Sequence, residues 1–468
     1  LSTKIEYGIG EIAGSVRLVI FGLFLFYFYT TVMGLPGTLV GVASTIGLVW
    51  NAVIDPAIGH LSDRISGPLG RRHGFMLIGS LVTGIAFFAL FSPPRGLSTE
   101  LLFAWLVGTG LVVRLAGSLF GIPYRALGAE LTNDYDERSS VSGIRGACGL
   151  AGYIIVAALV FVVFFPNRPG SGDPKLNYAA YPTMALAFGG LMIVVNLIST
   201  FSTIRYRSRS GDVAVAARPP LAFRQGVLAA LGNRAFRVLW IGSSLIWLGL
   251  VINTLLFVHF VTYYVQISDS RALTTLQLTF YGCAIIAVPL WLRVSRRLEK
   301  RWLFAVPILA AALLLIAARQ LVGAGHPFGT GDLRPLVVGE GLAGLFTSLF
   351  WIVPQSMMAD VVDADELRTG VRREGMFFGL ASFGDQVASG VSVLATGFLL
   401  DRYAGLVPGQ AIQSSQTVER IGVLYGVIPA AILVVAAILL LRYPLDRKQM
   451  ALIQERLATI RQSGGQSA

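Results

Sequence analysis

The chain has 468 residues, 54% of them hydrophobic and only 13% charged, with a mean hydropathy of +0.70. A soluble domain carries roughly 25% charge, so this composition excludes a soluble enzyme, a disordered protein and a nucleic-acid-binding module. The net charge of +12 has a commoner source in a membrane protein, where lysine and arginine collect on the inner loops.

Apolar segments long enough to cross a bilayer occur at 9–32, 38–58, 74–93, 101–122, 142–165 and 180–203. Six more follow at 238–265, 273–294, 302–323, 335–358, 375–400 and 421–442. The expected fold is all-α, a polytopic membrane protein with twelve spans in two pseudo-symmetric six-helix bundles. Its expected parts are a first bundle over 1–203, a cytoplasmic linker over 204–235, a second bundle over 236–445 and a cytoplasmic tail over 446–468. The linker holds Arg205, Arg207, Arg209 and the pair Pro219–Pro220, and a short surface helix is expected over 221–231. The tail spaces its apolar residues as an amphipathic helix does. No cleavable leader is expected, because the first apolar run begins after Lys4 and Glu6 and is interrupted by Arg17. With the N-terminus inside, roughly 27 of the 37 basic residues fall on the inner side. Both termini are therefore expected in the cytoplasm, in an inner or plasma membrane. Cys148 and Cys283 lie in apolar runs and there are four histidines, which argues against a disulfide framework, a metal centre or a bound cofactor.

The two halves resemble each other at an offset of roughly 230 residues, the pattern of parallel-repeat carriers. Pro123 followed by Glu130, Asp134, Asp136, Glu137 and Arg138 answers to Pro354 followed by Asp360, Asp363, Asp365, Glu366 and Arg368. The ends of the first and seventh spans, FYFYTTV and FVTYYVQ, are alike in their aromatic content. Such repeats build carriers in which two bundles rock around a central site. A channel or a structural membrane protein has no need of the pairing.

The loop after the second span reads GHLSDRISGPLGRRHG and resembles the loop signature of the major facilitator superfamily. An Asp63–Arg64–Arg71–Arg72 network at helix ends can latch one conformation. Within that superfamily, four stretches resemble the glycoside–pentoside–hexuronide:cation symporter family. They are KIEYGIGEIAGS, WNAVIDPAIGHLSDR, IPYRALGAELTNDYDERSSVSGIR and LFWIVPQSMMADVVDADELRTGVRREGMFFG. The family includes melibiose carriers and sodium-dependent lysolipid carriers.

The resemblance implies a cation site in the second span, where two acids one turn apart flank an asparagine. Here those positions read Asn51, Ile54 and Asp55, so one carboxylate remains, with Ser118 as the fourth-span hydroxyl. The sugar-binding acids expected in spans one and four fall at Ser15 and Gly121, and an expected aromatic at Arg125. An arginine matches at Arg145 and a tryptophan at Trp351, while an expected lysine falls at Gln386 beside Asp385. Sodium needs several oxygen ligands, so its binding at Asp55 is weakened, and a lone buried carboxylate is better suited to carry a proton. Proton coupling is thus expected ahead of sodium coupling, with uncoupled exchange as the other alternative.

Arg17, Arg125 and Arg145 make the first-half site more cationic than a neutral sugar needs, which favours a uronate, another glycoside acid or a lysolipid headgroup. Arg17 is expected near Asp55, as a tethered substitute for a bound cation or as a fixed structural pair. The inner acids Asp63, Glu130, Asp134, Asp136, Asp360, Asp363 and Asp365 are expected to form gate salt bridges with loop arginines including Arg64, Arg138, Arg372 and Arg373. His259 is read as a packing residue. The function expected is secondary active transport of a small organic solute by alternating access, by a monomer whose partners are the bilayer and its substrate, without nucleic acid. The rivals are a lysolipid carrier of the same family and a scaffold that kept the fold and lost the cation site.

Overall fold

The computed structural model describes residues 2–64, 69–70, 72–131, 135–167, 173–205, 223–295, 297–371 and 373–465. Among the described residues, twelve helices are long and apolar enough to cross a membrane. They are α1 (Thr3–Val32), α2 (Gly37–Ser62), α3 (His73–Leu90), α4 (Thr99–Gly128), α5 (Gly143–Phe164) and α6 (Ala180–Thr203). The second half supplies α7 (Arg234–Val265), α8 (Ser270–Ser295), α9 (Lys300–Leu321), α10 (Arg334–Thr369), α11 (Glu374–Ala404) and α12 (Ser415–Leu440). Helices are forced here, because hydrocarbon offers no partner for a free backbone N–H or C=O. Large apolar side chains face outward on them, with Ile286 74% and Leu313 66% exposed, which suits lipid rather than water.

Proline shapes several spans from within. Pro56 lies inside α2 and Pro123 inside α4, and each removes one backbone donor. In α10 a tight 3₁₀ turn at Ser348–Trp351 precedes Pro354, and the α-helix resumes at Val353. The aromatic-rich ends of α1 (Phe28–Val32) and α7 (Phe260–Val265) both widen into π-helical turns. The linker helix runs Phe223–Gly232 and the tail helix Arg447–Gly465.

The chain folds into two compact units. The first contains residues 1–215, 254–278 and 393–421; the second contains 216–253, 279–392 and 422–468. The cut therefore passes through α7, α8, α11 and α12, and one end of each belongs with the first half of the sequence.

Bare backbone draws the first unit together. A Cβ on Gly84 of α3 would overlap the Gly189 carbonyl of α6, and one on Gly79 would lie 2.6 Å from the Phe120 backbone nitrogen of α4. Small residues let spans approach closely, which is how helices associate where no hydrophobic driving force exists between them. At the end where α1 finishes and α2 begins, polar ties hold the borrowed segments. Asp401 of α11 caps α2, accepting from the Gly37 N–H at 2.9 Å, the Thr38 N–H at 2.7 Å and the Thr38 hydroxyl at 2.6 Å. Fully buried Lys175 pairs with Asp173 at 2.8 Å and donates to the Ile267 carbonyl at 3.2 Å. His259 is fully buried, with Nε2 3.1 Å from the Thr30 hydroxyl and its ring against Tyr27 and Phe26.

The second unit has its own apolar core. Phe236, Leu239, Ile246, Phe304, Met357, Phe377 and Leu433 are buried together. Gly344 of α10 touches the Phe280 carbonyl of α8, and Gly242 of α7 receives Leu440 of α12.

Candidate functional site

The site in the first unit is built on α1, α2, α3, α4 and α6. Along α4, residues Arg114, Gly117, Ser118, Gly121 and Arg125 recur at three- and four-residue intervals, so they share one face. The glycines leave that face bare, and arginine side chains occupy the vacated space. Arg17 of α1 lies on Gly117, where an added Cβ would sit 2.9 Å from its Cζ. Arg114 lies in the same way on Gly47 of α2, where a Cβ would sit 2.8 Å from its Cδ.

Ser118 connects the two spans. Its hydroxyl donates to Asp55 Oδ1, and it lies 3.1 Å from the Arg114 carbonyl one turn earlier. Asn51, one turn before Asp55, has its Oδ1 buried without a hydrogen-bond partner. Arg17 and Arg114 both lie within electrostatic range of Asp55. The three residues expected to hold a coupling cation thus fall on two adjoining spans, with Ser118 on Asp55 and two guanidiniums beside them.

Next to this cluster lies a cavity of about 80 Å³. Arg17, Gly121 and Arg125, all read from the sequence as substrate residues, line it together with Glu11, Thr83, Tyr124 and Asn196. No Cβ at Gly121 would meet anything within 4 Å, so open space stands where the resemblance implies an acid. Asn196 is 2% exposed, and its Oδ1 is buried without a hydrogen-bond partner. A buried acceptor left in that state costs free energy unless a solute or water serves it.

Two expected contacts lie to the side of the cavity. Ser15 is buried against Gly149 and Gly152 of α5. Arg145 pairs with Glu11 at 3.6 Å, so it orients one cavity wall instead of forming it. Behind that wall Tyr7 stacks on Tyr124 with centroids 4.5 Å apart, and each hydroxyl donates to the other's carbonyl at 3.2 Å and 3.1 Å. Trp351, Asp385 and Gln386 belong to the second unit. Trp351 is 59% exposed and meets Trp247 and Phe350 edge to face. The Asp385 carbonyl accepts from Ser389 at 2.8 Å, and Gln386 is exposed.

Several of the residues expected to gate also lie among the described ones. Asp360 pairs with Lys300 at 2.6 Å, with Asp363 in electrostatic range. Asp365, 1% exposed, takes Arg373 at 2.6 Å and Arg368 at 3.1 Å. Between these arginines Gly370 ends the helix at φ 70°, a left-handed conformation in which glycine is unstrained. Arg72 immediately precedes α3. Arg71, Asp134 and Arg372 lie outside the described residues, as do the side chains of Asp63, Arg64, Glu130, Asp136 and Arg138. Among the described residues no group of three or more histidines, cysteines or acids is placed to hold a metal ion.

Asn196 and Thr83 carry no strong sequence signal as cavity residues. A lone amide or hydroxyl in an apolar run is a weak signal, because a helix satisfies many such groups on its own backbone, as Thr83 does on the Gly79 carbonyl at 2.6 Å.

Twelve spans with charged side chains inside them define a membrane protein of the major facilitator fold. The chain belongs to the MFS/sugar transport protein family, whose model matches residues 6–447, in keeping with the glycoside/cation symporter resemblance of its motifs. It is a secondary active transporter for small organic solutes. A proposed 2,3-dihydroxypropane-1-sulfonate exporter of Escherichia coli (strain K12) is 28% identical over 97% of this chain and 95% of its own length. The isoprimeverose transporter of Lactiplantibacillus pentosus is 24% identical over 98% of this chain and 92% of its own. Among solved structures, a D-xylose–proton symporter matches with a TM-score of 0.64 at 14% identity, over 96% of this chain and 98% of that one. At that identity the match speaks to the fold alone.

Proposed function

We propose that the chain carries a small hydroxylated organic anion by alternating access, with a proton rather than sodium as the coupled ion and Asp55 as the coupling group. The observation that carries this reading is the cavity of about 80 Å³ with Arg17 and Arg125 in its wall. A water needs roughly 10–15 Å³ of such space, so the cavity takes on the order of five to eight non-hydrogen atoms. A short hydroxycarboxylate or hydroxysulfonate fits whole, and a glycoside fits only in part. The guanidiniums suit a carboxylate or sulfonate in fork geometry. Glu11 and the unpartnered Asn196 oxygen supply acceptors for hydroxyls. The proposed sulfonate exporter among the relatives is named for a small hydroxylated anion. The basic residues favour cytoplasmic termini.

Counterflow in proteoliposomes tests the reading, with glycerate and 2,3-dihydroxypropane-1-sulfonate against xylose as the neutral control. The acids are expected to exchange and xylose is not. Arg17→Gln and Arg125→Gln should each weaken apparent affinity by about 10- to 100-fold, the worth of one hydrogen bond to a charged group. Asp55→Asn should abolish accumulation driven by a pH gradient while exchange continues. Xylose exchanging as fast as the acids would overturn the anion assignment.

A further inference from the structure

The cavity of the first unit is divided by hydrogen-bond chemistry. Arg17 and Arg125 line it, and a guanidinium donates hydrogens and accepts none. The oxygens of the lining are in the opposite condition. Thr83 gives its hydroxyl hydrogen to the Gly79 carbonyl at 2.6 Å, and Tyr124 gives its own to the Tyr7 carbonyl at 3.1 Å. Each of these hydroxyls keeps only lone pairs to offer. Glu11 stands in an ion pair with Arg145 at 3.6 Å, and an ionised carboxylate only accepts. Asn196, 2% exposed, adds an amide oxygen that no donor serves. The rest of the lining is glycine, alanine and phenylalanine. Apart from the Asn196 amide nitrogen, every side-chain hydrogen on offer in the cavity therefore belongs to an arginine.

A solute built of acceptors alone satisfies the arginines and leaves the oxygens bare. Those oxygens are not equal in what they lack. Thr83 and Tyr124 each hold one bond and Glu11 has its arginine, whereas the Asn196 oxygen is buried with nothing. We infer that the cavity accepts its anionic solute in the alcohol form and rejects the carbonyl and deoxy forms, with Asn196 as the residue that draws the distinction. This rests on the anion reading proposed above, and it adds the oxidation state of the solute's remote end. A hydroxyl there donates to the Asn196 oxygen. A carbonyl oxygen in the same place meets it lone pair to lone pair, and a methylene leaves it bare. A site that bonds a hydroxyl rejects the analogue without it far more sharply than an apolar pocket rejects a missing methylene, because its own buried groups are left unpaired.

The test is equilibrium binding to the purified full chain, read as apparent dissociation constants. Glycerate, pyruvate and propanoate form one series, and 2,3-dihydroxypropane-1-sulfonate and propane-1-sulfonate form another. Charge and carbon number are constant within each series. The hydroxylated acids are expected to bind at least about tenfold tighter than their carbonyl and deoxy partners. Asn196→Leu removes the unserved oxygen, so it should weaken the hydroxylated acids by about tenfold and leave pyruvate and propanoate unchanged. The ratio within a series is the readout, because a packing defect weakens every solute alike. Asn196→Ala should narrow the ratio in the same way if the leucine protein does not fold. Pyruvate or propanoate binding as tightly as glycerate would overturn the inference, as would an undiminished ratio in either folded variant. Both of those results leave the anion reading standing, since every solute in the series is an acid. A chain that binds none of the acids overturns the two together.

Discussion

At the residue scale, glycine does more to shape the site than any charged group, because it decides where the arginines rest. Arg17 reaches the cavity wall by lying on Gly117, where a methyl group would overlap its guanidinium. Gly117→Ala should therefore push Arg17 away from the solute and weaken apparent affinity by about tenfold or more, in the range of a lost charge-assisted hydrogen bond. Global stability should change little, since the guanidinium and not the backbone moves. Solute concentration dependence in counterflow, read beside a melting curve, checks both halves of the statement. Unchanged affinity in a folded Gly117→Ala protein would remove Arg17 from the binding site. Arg17→Lys is expected to behave like the loss of the residue, because an ammonium lacks the planar fork.

At the element scale, the beginning of α2 is held by a carboxylate from a distant part of the chain. A helix N-terminus leaves backbone donors unsatisfied, and in a membrane that deficit is costly. Asp401 serves two of those donors and the Thr38 hydroxyl besides. Asp401→Ala should cost about 0.5–2 kcal/mol, the usual worth of a cap, and thermal unfolding in detergent measures it. The same change should loosen the neighbouring turn, where the Gly409 N–H donates to the Thr30 carbonyl and the Tyr263 hydroxyl to the Gln410 carbonyl. A cysteine introduced by Gln410→Cys should then react faster with a soluble maleimide in the Asp401→Ala background. Equal labelling rates and equal melting would show that the cap holds nothing.

At the scale of the molecule, the first unit gathers segments from both halves of the sequence, and one of its fastenings is a buried lysine. Burial pushes the Lys175 ammonium below its ordinary value of 10.5, while Asp173 draws it back up. Between the lowered value and 10.5 the unfolded chain binds the proton more tightly than the folded one. Stability should therefore rise with pH across that interval and be level below it. Replacing the lysine with an apolar side chain of similar length removes both the desolvation penalty and this rise. The double change Lys175→Met with Asp173→Asn is expected to be neutral or more stable by about 1–4 kcal/mol, whereas Asp173→Asn alone leaves an uncompensated buried charge and should cost roughly 3–5 kcal/mol. Unfolding followed against pH for the three proteins tests the order. A destabilised double variant would mean that the tie from Lys175 to the Ile267 carbonyl outweighs the burial of the charge.

The twelve spans, the two-part repeat and the family were legible in the chain itself. Spanning a bilayer demands long apolar runs, and the motifs sit together in unbroken stretches of sequence. The meeting of Ser118 with Asp55 was legible for the same reason, both being fixed positions within recognisable spans. What local pattern could not decide is which side chains share a space. Asn196 joins Glu11 across 185 positions of the chain (196 − 11) only because α6 and α1 meet. Arg145 turned from the cavity to Glu11, and Arg114 found its place on Gly47. Those outcomes depend on helix crossings set by small residues brought together from distant parts of the chain. The scarcity of charge marked this chain as a membrane protein, and tertiary packing decided how its few buried charges face one another.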